Sequence, residues 1–382
     1  MQTDNLTTKP HYPILDGLRG VATLFVVFFH FGEAHFKNVF NPVHHGYLAV
    51  DFFFLLSGFV VAYAYDDRWN RMSVWTFFKI RLIRLHPMVI LAVIFGTVCF
   101  WLDPYTNGMQ QVSLLKLIGI MLLALTLLPS PDIRGYGETH SLIGPLWSLL
   151  QEYIANVLYA VFGKRITKWA LVVLVLVSGA ALTTMAIQVG HVGTGWGYKN
   201  FHLAIIRMMF PFFAGLLLFR TGKLIRIPFA FATCSIVIAV LFCLPYFKFN
   251  GLYEAVCIII AFPIIISAGA GGQVKGYMAK VCNFLADISY PLYITHYPII
   301  YIYMAWVRKE KPSPEHFIPI AIGSFLLMIL IAYGSLKLYD LPVRRWLKRK
   351  VNRNCDIPSP ATTVKVTQIS ENEMGEKSSF KR

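Results

Sequence analysis

The stretch DGLRGVATLFVVFFHF, residues 16–31, lies within an apolar run, residues 14–32, that is long enough to cross a membrane. About 20 predominantly apolar residues span the hydrocarbon core of a bilayer. Nine further runs of this kind follow, at residues 47–65, 84–102, 144–163, 169–189, 204–219, 228–245, 253–270, 283–304 and 317–338. The sequence therefore predicts an all-α polytopic membrane protein with about ten transmembrane helices.

The composition agrees with this class, because 56% of the 382 residues are hydrophobic and only 14% are charged, whereas soluble domains carry about 25% charged residues. The net charge of +16 would indicate a nucleic-acid partner in a soluble protein. Here the basic residues lie in short segments between apolar runs, as membrane topology requires, so no nucleic-acid partner is expected. The six cysteines are scattered, without the spacing of a metal site, and no metal is expected.

The short apolar run 114–128 decides the topology, because it sets the side of every later segment. Basic residues are enriched in cytoplasmic loops. If this run does not cross, five basic clusters lie in the cytoplasm, at residues 68–84, 164–168, 220–226, 275–280 and 344–350. If it crosses, the clusters at 164–168 and 220–226 lie outside. We therefore predict ten spans, both termini in the cytoplasm and an outer segment at 103–143, although the basic loop 305–316 goes against the rule.

One transmembrane domain is predicted, residues 1–350, without an internal repeat. Residues 351–382 are polar and lack periodicity, which is typical of a disordered segment, and we expect a cytoplasmic tail there. The first apolar run contains Asp16 and Arg19 and lacks a cleavage site of small residues, so no cleavable signal peptide is expected.

Two ionisable residues, Arg19 and His30, lie in the first predicted span. Such residues are costly in a membrane and mark functional sites by default. The eleven steps between them turn an α-helix by about 1100°, so both side chains face one direction, about 16 Å apart along the axis. Arg19 then lies near the inner surface and His30 in the outer half. In a simpler interpretation, Arg19 anchors the helix beside Asp16 and His30 is an interface histidine.

The second predicted span carries Asp51 near its outer end, at the depth of His30. A carboxylate beside a histidine orients the ring, selects its tautomer and raises its basicity, as a general base requires. We therefore expect Asp51 to support His30.

Two arginines, Arg81 and Arg84, lie three residues apart near the inner side and share one helical face. Paired guanidinium groups suit phosphate oxygens, which they bind in a bidentate manner. Alone, such a pair is more often a topology signal or a contact to lipid headgroups.

Five motifs resemble those of one family of membrane proteins. They are Leu15-Asp16-Gly17-Leu18-Arg19-Gly20 through His30, Val50-Asp51-Phe52-Phe53-Phe54 with Leu56-Ser57-Gly58-Phe59, the pair Arg81 and Arg84, Pro145-Leu146-Trp147-Ser148-Leu149 with Glu152, and Ile288-Ser289-Tyr290-Pro291-Leu292-Tyr293 with His296. In this order, over most of residues 11–345, they resemble the acyltransferase-3 family of integral membrane acyltransferases. The chain departs from the family at Gln151, which precedes Glu152 where members often carry an acidic pair. The SGNH esterase-like domain fused to some members is not expected here.

The resemblance implies an O-acyltransferase of a bacterial inner membrane. It would move an acyl group, expected to be acetyl, from cytoplasmic acyl-CoA to a hydroxyl of an extracytoplasmic glycan or another secreted compound, with membrane lipid as a further partner. The phospho-ADP end of CoA would contact Arg19, Arg81 and Arg84. His30, supported by Asp51, would deprotonate the acceptor, or would carry the acyl group transiently. Oxyanion candidates are Trp147, Ser148 and Tyr290, while Glu152 and His296 are expected to be acceptor-site or structural partners.

Two other functions fit a membrane protein with charged spans. One is secondary transport, and the other is lipid or glycan binding without transfer, in which His30 and Asp51 are merely structural. Transporters built from repeats carry broken helices at matching positions of two halves, and the sequence shows no such symmetry. We prefer the transferase interpretation.

Overall fold

The structure, a computed structural model, describes residues 12–35, 41–106, 112–163 and 165–353. Apart from an isolated bridge between Glu138 and Gly197, these residues contain no β pairing. The predicted tail lies outside them, except for its first three residues. We number the helices α1 (Pro13–His35), α2 (Ala49–Tyr65), α3 (Val74–Trp101), α4 (Leu114–Leu125), α5 (Leu146–Leu158), α6 (Lys168–Val189), α7 (Leu203–Thr221), α8 (Ala230–Cys243), α9 (Asn250–Gly271), α10 (Gly276–Thr295), α11 (Tyr297–Glu310), α12 (Pro314–Gly334) and α13 (Leu341–Arg353).

Among the described residues, seven helical segments are long and apolar enough to cross a membrane; they are Pro13–His35, Gly46–Tyr65, Val74–Trp101, Lys168–Val189, Leu203–Thr221, Asn250–Gly271 and Pro314–Lys350. The other three predicted spans are also helical. α5 continues through a π-helical turn to Gly163, α8 is a short apolar helix, and the ninth predicted span is divided between α10 and α11 at His296. Pro298 follows this break, and its missing N–H and its ring disfavour a continuous helix. The prediction of an all-α polytopic membrane protein is confirmed.

The ambiguous run 114–128 contains α4, a helix of only 12 residues. Twelve residues rise about 18 Å, well short of the roughly 30 Å hydrocarbon core. Just beyond its end, Leu127 has a φ of 61°, which a right-handed helix cannot accommodate. The helix packs against α3. α4 is therefore too short to cross, which agrees with the ten-span topology, while the assignment of the cytoplasmic face stays a prediction.

Successive spans run in opposite directions, so the connecting segments gather at two ends of the bundle. The His30 end holds the segments 41–48, 126–145, 190–202, 244–249 and 311–313. The Arg81 end holds the segments 66–73, 165–167, 222–229 and 272–275, together with α13. Each end encloses one of the cavities described below.

Two basic residues of the loop 305–316, Arg308 and Lys309, contact aromatic side chains, in the loop that goes against the expected charge distribution. The guanidinium group of Arg308 lies 4.6 Å from the ring centroid of Tyr136 and donates a 2.6 Å hydrogen bond to the Tyr136 hydroxyl oxygen. The ammonium group of Lys309 lies 5.7 Å from the ring centroid of Tyr105. Such cation–π contacts stabilise a cation locally. These charges fasten the segment 103–143 to α11.

The helices around the cavities approach one another at glycines. An added Cβ at Gly58 of α2 would lie 1.9 Å from the backbone oxygen of Phe212 on α7, and one at Gly215 would lie 2.0 Å from the oxygen of Leu55. On α1, a Cβ at Gly20 would lie 2.5 Å from α10. Small residues allow such close backbone packing in membrane helices. α1, α2, α7 and α10 are therefore fixed closely where they carry the site.

Candidate functional site

Two cavities open at opposite ends of the helix bundle. The histidine cavity, at the His30 end, has a volume of about 710 Å³. The arginine cavity, at the Arg81 end, has a volume of about 440 Å³. α1 contributes to both, because His30 lines the first cavity and Arg19 lines the second. One helix thus presents the imidazole and the guanidinium group at two levels, as the eleven-residue spacing predicts.

The imidazole of His30 has a carboxylate partner on its own helix. Its Nδ1 lies 2.6 Å from Oε2 of Glu33, and both side chains are partly exposed to the histidine cavity. An ionised carboxylate can only accept a hydrogen bond, so the ring proton lies on Nδ1. Nε2 therefore carries the lone pair that a general base needs. Glu33 was missed from the sequence, although its position three residues after His30 on a helix indicates a contact.

Asp51 does not contact His30, and this part of the prediction is wrong. Its carboxylate forms a buried ion pair with Arg207 of α7, through Oδ2 at 2.6 Å and Oδ1 at 3.2 Å. Arg207 is only 1% exposed, so it needs an anionic partner more strongly than the accessible imidazole does. An arginine in an apolar run marks Arg207 as a candidate for a buried partner, but not which residue that partner is.

Arg207 also fixes the wall of the histidine cavity. Its guanidinium group donates hydrogen bonds to the backbone oxygens of Thr194, at 2.7 Å, and Tyr47, at 3.2 Å. It lies 5.2 Å from the ring centroid of Trp147. Trp147 lines the histidine cavity, and its role as an oxyanion donor stays a prediction. The ion pair therefore holds three separate segments around the cavity.

The predicted arginine pair separates into two environments. Arg81 donates a 2.6 Å hydrogen bond to Oε1 of Glu152, which also accepts one from Ser57 at 3.1 Å. Arg84 has no hydrogen bond or ion pair among the described residues, and its side chain lines the arginine cavity. An unpaired guanidinium group in a cavity is available to an anion. Arg344 of α13, which was counted from sequence only as a topology signal, lines the same cavity.

Arg19 is held in place at the same cavity. Its Nε donates a 2.8 Å hydrogen bond to Ser289 of α10, and its guanidinium group lies 3.5 Å from the Asp16 carboxylate. Arg19 therefore makes the anchoring contact with Asp16 and also lines the arginine cavity.

Three of the predicted substrate or oxyanion candidates, Ser148, Glu152 and Tyr290, line the arginine cavity instead of the histidine cavity. Glu152 pairs with Arg81, which fits the structural alternative of the two roles expected for it, and a role at an acceptor site stays a prediction. Tyr290 lines the arginine cavity as well, and its hydroxyl donates a 2.7 Å hydrogen bond to the backbone oxygen of Leu85. That hydrogen is not directed at His30.

His296 lies beside His30 rather than in a cavity. The two imidazole rings stack with centroids 5.5 Å apart. His296 is fully buried, its Nδ1 lies 3.0 Å from the backbone oxygen of Leu292, and its Nε2 has no hydrogen-bond partner among the described residues. Its proton therefore lies on Nδ1, and the ring supports His30 by packing.

The two cavities share a wall, which we call the neck, formed by Val50 of α2 and Tyr293 of α10. The hydroxyl of Tyr293 lies 2.6 Å from Oγ of Ser148, and Ser148 donates its own hydrogen to the backbone oxygen of Pro145 at 2.8 Å. Tyr293 is therefore the donor to Ser148. The side chains of Tyr293 and Val50 thus lie between the imidazole of His30 and the arginines of the other cavity.

Glu138, in the segment between α4 and α5, is a further ionisable group of the histidine cavity. It is 7% exposed and accepts a hydrogen bond from the hydroxyl of Tyr301. Burial raises the pKa of the Glu138 carboxyl to about 7, against the lowering effect of the Tyr301 hydrogen bond and of Arg134. Nothing in its sequence context had singled it out. No group of three or more His, Cys, Asp or Glu that could hold a metal ion occurs among the described residues.

Comparison with known proteins identifies the family. A family model described as an acyltransferase domain matches residues 12–335. The chain belongs to the acyltransferase-3 family. It is therefore a membrane acyltransferase by family, and the resemblance seen in the five motifs is confirmed.

Three curated relatives of this acyltransferase-3 chain show how far the similarity extends. Protein 2 in the picA locus of Rhizobium radiobacter is 33% identical over 184 residues, which are 46% of this chain and 94% of that protein. Acyltransferase MdmB of Streptomyces mycarofaciens is 31% identical over 165 residues, 41% of this chain and 40% of MdmB. The peptidoglycan O-acetyltransferase OatA of Listeria monocytogenes is 22% identical over 383 aligned positions, 88% of this chain and 56% of OatA. No solved structure matches the chain.

Proposed function

We propose that this acyltransferase moves an acyl group, most simply acetyl, from acyl-CoA in the arginine cavity to a hydroxyl of a glycan or another secreted compound in the histidine cavity. The observation that carries the proposal is the neck. It is the shared wall between the cavity of Arg84, which has no hydrogen-bond or ion-pair partner among the described residues, and the cavity of the carboxylate-bound His30. Reagents that enter from opposite membrane faces can meet there.

The donor end is supported by the charge of the arginine cavity. CoA carries phosphates on its nucleotide end, and arginine binds phosphate oxygens with charge-assisted hydrogen bonds. Arg84 has no partner within the described part of the chain, Arg19 and Arg81 are held in the same cavity, and Arg344 reaches it from α13. We therefore assign the phosphates to these four residues, with Arg84 as the main contact.

The proposed chemistry centres on Nε2 of His30. Nε2 takes the proton of the acceptor hydroxyl while the hydroxyl oxygen attacks the thioester carbonyl carbon. The tetrahedral intermediate then breaks its C–S bond, and His30 returns the proton to the CoA thiolate, giving the ester and CoA-SH. Glu33, at 2.6 Å from Nδ1, stabilises the imidazolium form in between. A transient acyl group on His30 is the alternative route.

The lining of the histidine cavity supports a polyhydroxylated acceptor. Ligand pockets combine apolar contact area with a few placed polar groups. Here the apolar area is aromatic, and the polar groups are ionisable; the lining includes Tyr47, Trp147, Trp196, Tyr297, Glu33 and Glu138. Rings of this kind can cover the flat faces of a sugar while the carboxylates accept hydrogen bonds from its hydroxyls. The name of the Listeria relative states a peptidoglycan acceptor for that protein, and a glycan is the acceptor class that we propose here.

We also propose a bacterial inner membrane as the location, with the Arg81 end in the cytoplasm. Basic residues are concentrated at cytoplasmic ends of spans, and the clusters around Arg68, Arg165, Arg220 and Arg344 all lie at this end. This orientation gives the arginine cavity access to cytoplasmic acyl-CoA. It leaves the histidine cavity open to the other face.

The proposal is tested with the purified protein in lipid nanodiscs, labelled acetyl-CoA and a panel of cell-envelope glycans. The wild type is expected to form a labelled O-acetyl ester, and His30→Ala is expected to lose at least about a hundredfold in rate. His202→Ala, an exposed histidine of the same end, is the matched control. Transfer that survives in His30→Ala contradicts the role of His30, and uptake of label into vesicles without ester formation would favour a carrier.

A further inference from the structure

We infer that the neck restricts this acyltransferase to short acyl groups, and that Val50 and Tyr293 are the residues that set the limit. This inference rests on the proposed function, because it concerns the donor assigned to the arginine cavity. Acetyl and propionyl groups fall within the limit, whereas hexanoyl and longer groups exceed it.

The boundary between the cavities lies at one level on the surrounding helices. On α1, Thr23 lines the arginine cavity, and Val26, three residues later, lines the histidine cavity. On α5, Trp147 lines the histidine cavity and its neighbour Ser148 lines the arginine cavity. The neck is therefore a narrow layer of the bundle rather than a long passage.

The reacting carbonyl has to lie in this layer. Val26 precedes His30 by four residues, which is about 6 Å along α1. An acceptor hydroxyl bonded to Nε2 of His30 lies about 3 Å from it, and the carbonyl carbon that the hydroxyl attacks lies about 3–3.5 Å further on. The two distances together match the separation of His30 from the neck. The substituent on that carbonyl, which is the acyl chain, must then find room beside Val50 and Tyr293.

The neck offers little room, because Tyr293 is fixed on several sides. Its hydroxyl is bonded to Ser148, its ring meets the ring of Phe53 edge to face at 5.4 Å, and its centroid lies 6.2 Å from that of His296. Val50, across from it, is 8% exposed. Extra methylenes forced into such packing displace side chains from their preferred rotamers and shift the backbone, which is destabilising. Each added carbon therefore slows transfer by displacing a side chain that other contacts hold.

The experiment compares acetyl-, butyryl- and hexanoyl-CoA as donors for the wild type and for two widened variants, Val50→Ala and Tyr293→Leu. Both variants are expected to raise the ratio of hexanoyl to acetyl transfer by about tenfold or more. Val61→Ala is the matched control, because Val61 is a buried valine of the same helix that lines neither cavity. Tyr293→Phe keeps the ring and loses the hydroxyl, so it is expected to keep the wild-type ratio.

The outcomes separate the two proposals. If the wild type transfers hexanoyl as fast as acetyl, or if both widened variants keep the wild-type ratio, the neck does not select the acyl group while the transferase proposal stands. If the wild type transfers no acyl group from any donor, both proposals fall. If Val61→Ala changes the ratio as much as Val50→Ala, the effect comes from loosened packing and the assignment to the neck is wrong.

Discussion

His30 is hydrogen-bonded to Glu33, three residues later on the same helix, with 2.6 Å between Nδ1 and Oε2. The contact is local, so it forms whenever α1 is helical and needs no other helix. It fixes the ring tautomer and directs Nε2 away from the carboxylate. The orienting group of the proposed base is therefore Glu33, whereas Asp51 serves Arg207.

Glu33→Gln tests this assignment. The amide keeps the shape but cannot stabilise the imidazolium form as a charge does, so kcat is expected to fall by about tenfold or more, with KM for acyl-CoA unchanged. Initial rates at saturating acceptor measure the effect. Glu315→Gln, at an exposed glutamate at the start of α12, is the control. An unaltered kcat in Glu33→Gln would remove the carboxylate from the mechanism.

Asp51→Asn is expected to reduce stability rather than act at the base. Breaking a buried ion pair by removing one partner costs about 3–5 kcal/mol, so the apparent Tm in detergent should fall clearly. The double variant Asp51→Leu/Arg207→Met should recover part of the loss, because it leaves no unpaired charge. If Asp51→Asn instead keeps the wild-type Tm and loses as much activity as His30→Ala, Asp51 acts on the reaction directly.

Arg84→Ala and Arg81→Ala are expected to differ. Arg84 has no protein partner among the described residues, so its loss should weaken CoA binding by about tenfold or more and leave the Tm unchanged. Arg81→Ala also leaves Glu152 without its ion pair, so it should lower the Tm as well. Isothermal titration with CoA and with dephospho-CoA measures the affinity. Equal CoA affinity in the wild type and Arg84→Ala would reduce Arg84 to a topology signal.

Glu138 is expected to make stability depend on pH. Burial raises its pKa from the ordinary value of 4.5 to about 7, so the folded protein binds this proton more tightly than the unfolded chain does. The free energy of unfolding contributed by this group is therefore largest below pH 4.5 and decreases as the pH rises towards 7. Glu138→Gln should remove this dependence, as Tm measurements between pH 4.5 and 7.5 will show. If the Tm of the wild type and the Tm of Glu138→Gln change by the same amount over this pH range, the assignment to Glu138 is wrong.

The sequence predicted those features that depend on one helix. The spacing of Arg19 and His30 on α1 predicted that both side chains face one direction about three turns apart, because helical geometry alone fixes that relation. The apolar runs located the spans for the same reason. The contact of Glu33 with His30 was predictable in the same way, because the two residues lie three positions apart on one helix.

Features that depend on several helices could not be predicted in the same way. The partner of Asp51 lies 156 residues away on α7, and nothing in either local sequence specifies that pairing. The neck combines α2 with α10, and Arg344 reaches the arginine cavity only because α13 folds back against α3. The positive-inside rule assigns such basic residues to membrane topology. This rule does not distinguish a charge that faces water from a charge that faces a ligand.

The hydrogen bond from Tyr293 to Ser148 has a consequence beyond the choice of donor. An enzyme with hollows at both membrane faces risks becoming a route for ions, and any such leak would discharge the electrical potential that drives other transport. In the proposed reaction, the layer at Tyr293 and Val50 would pass only an acyl group between the two compartments, so the ion barrier of the bilayer would stay intact.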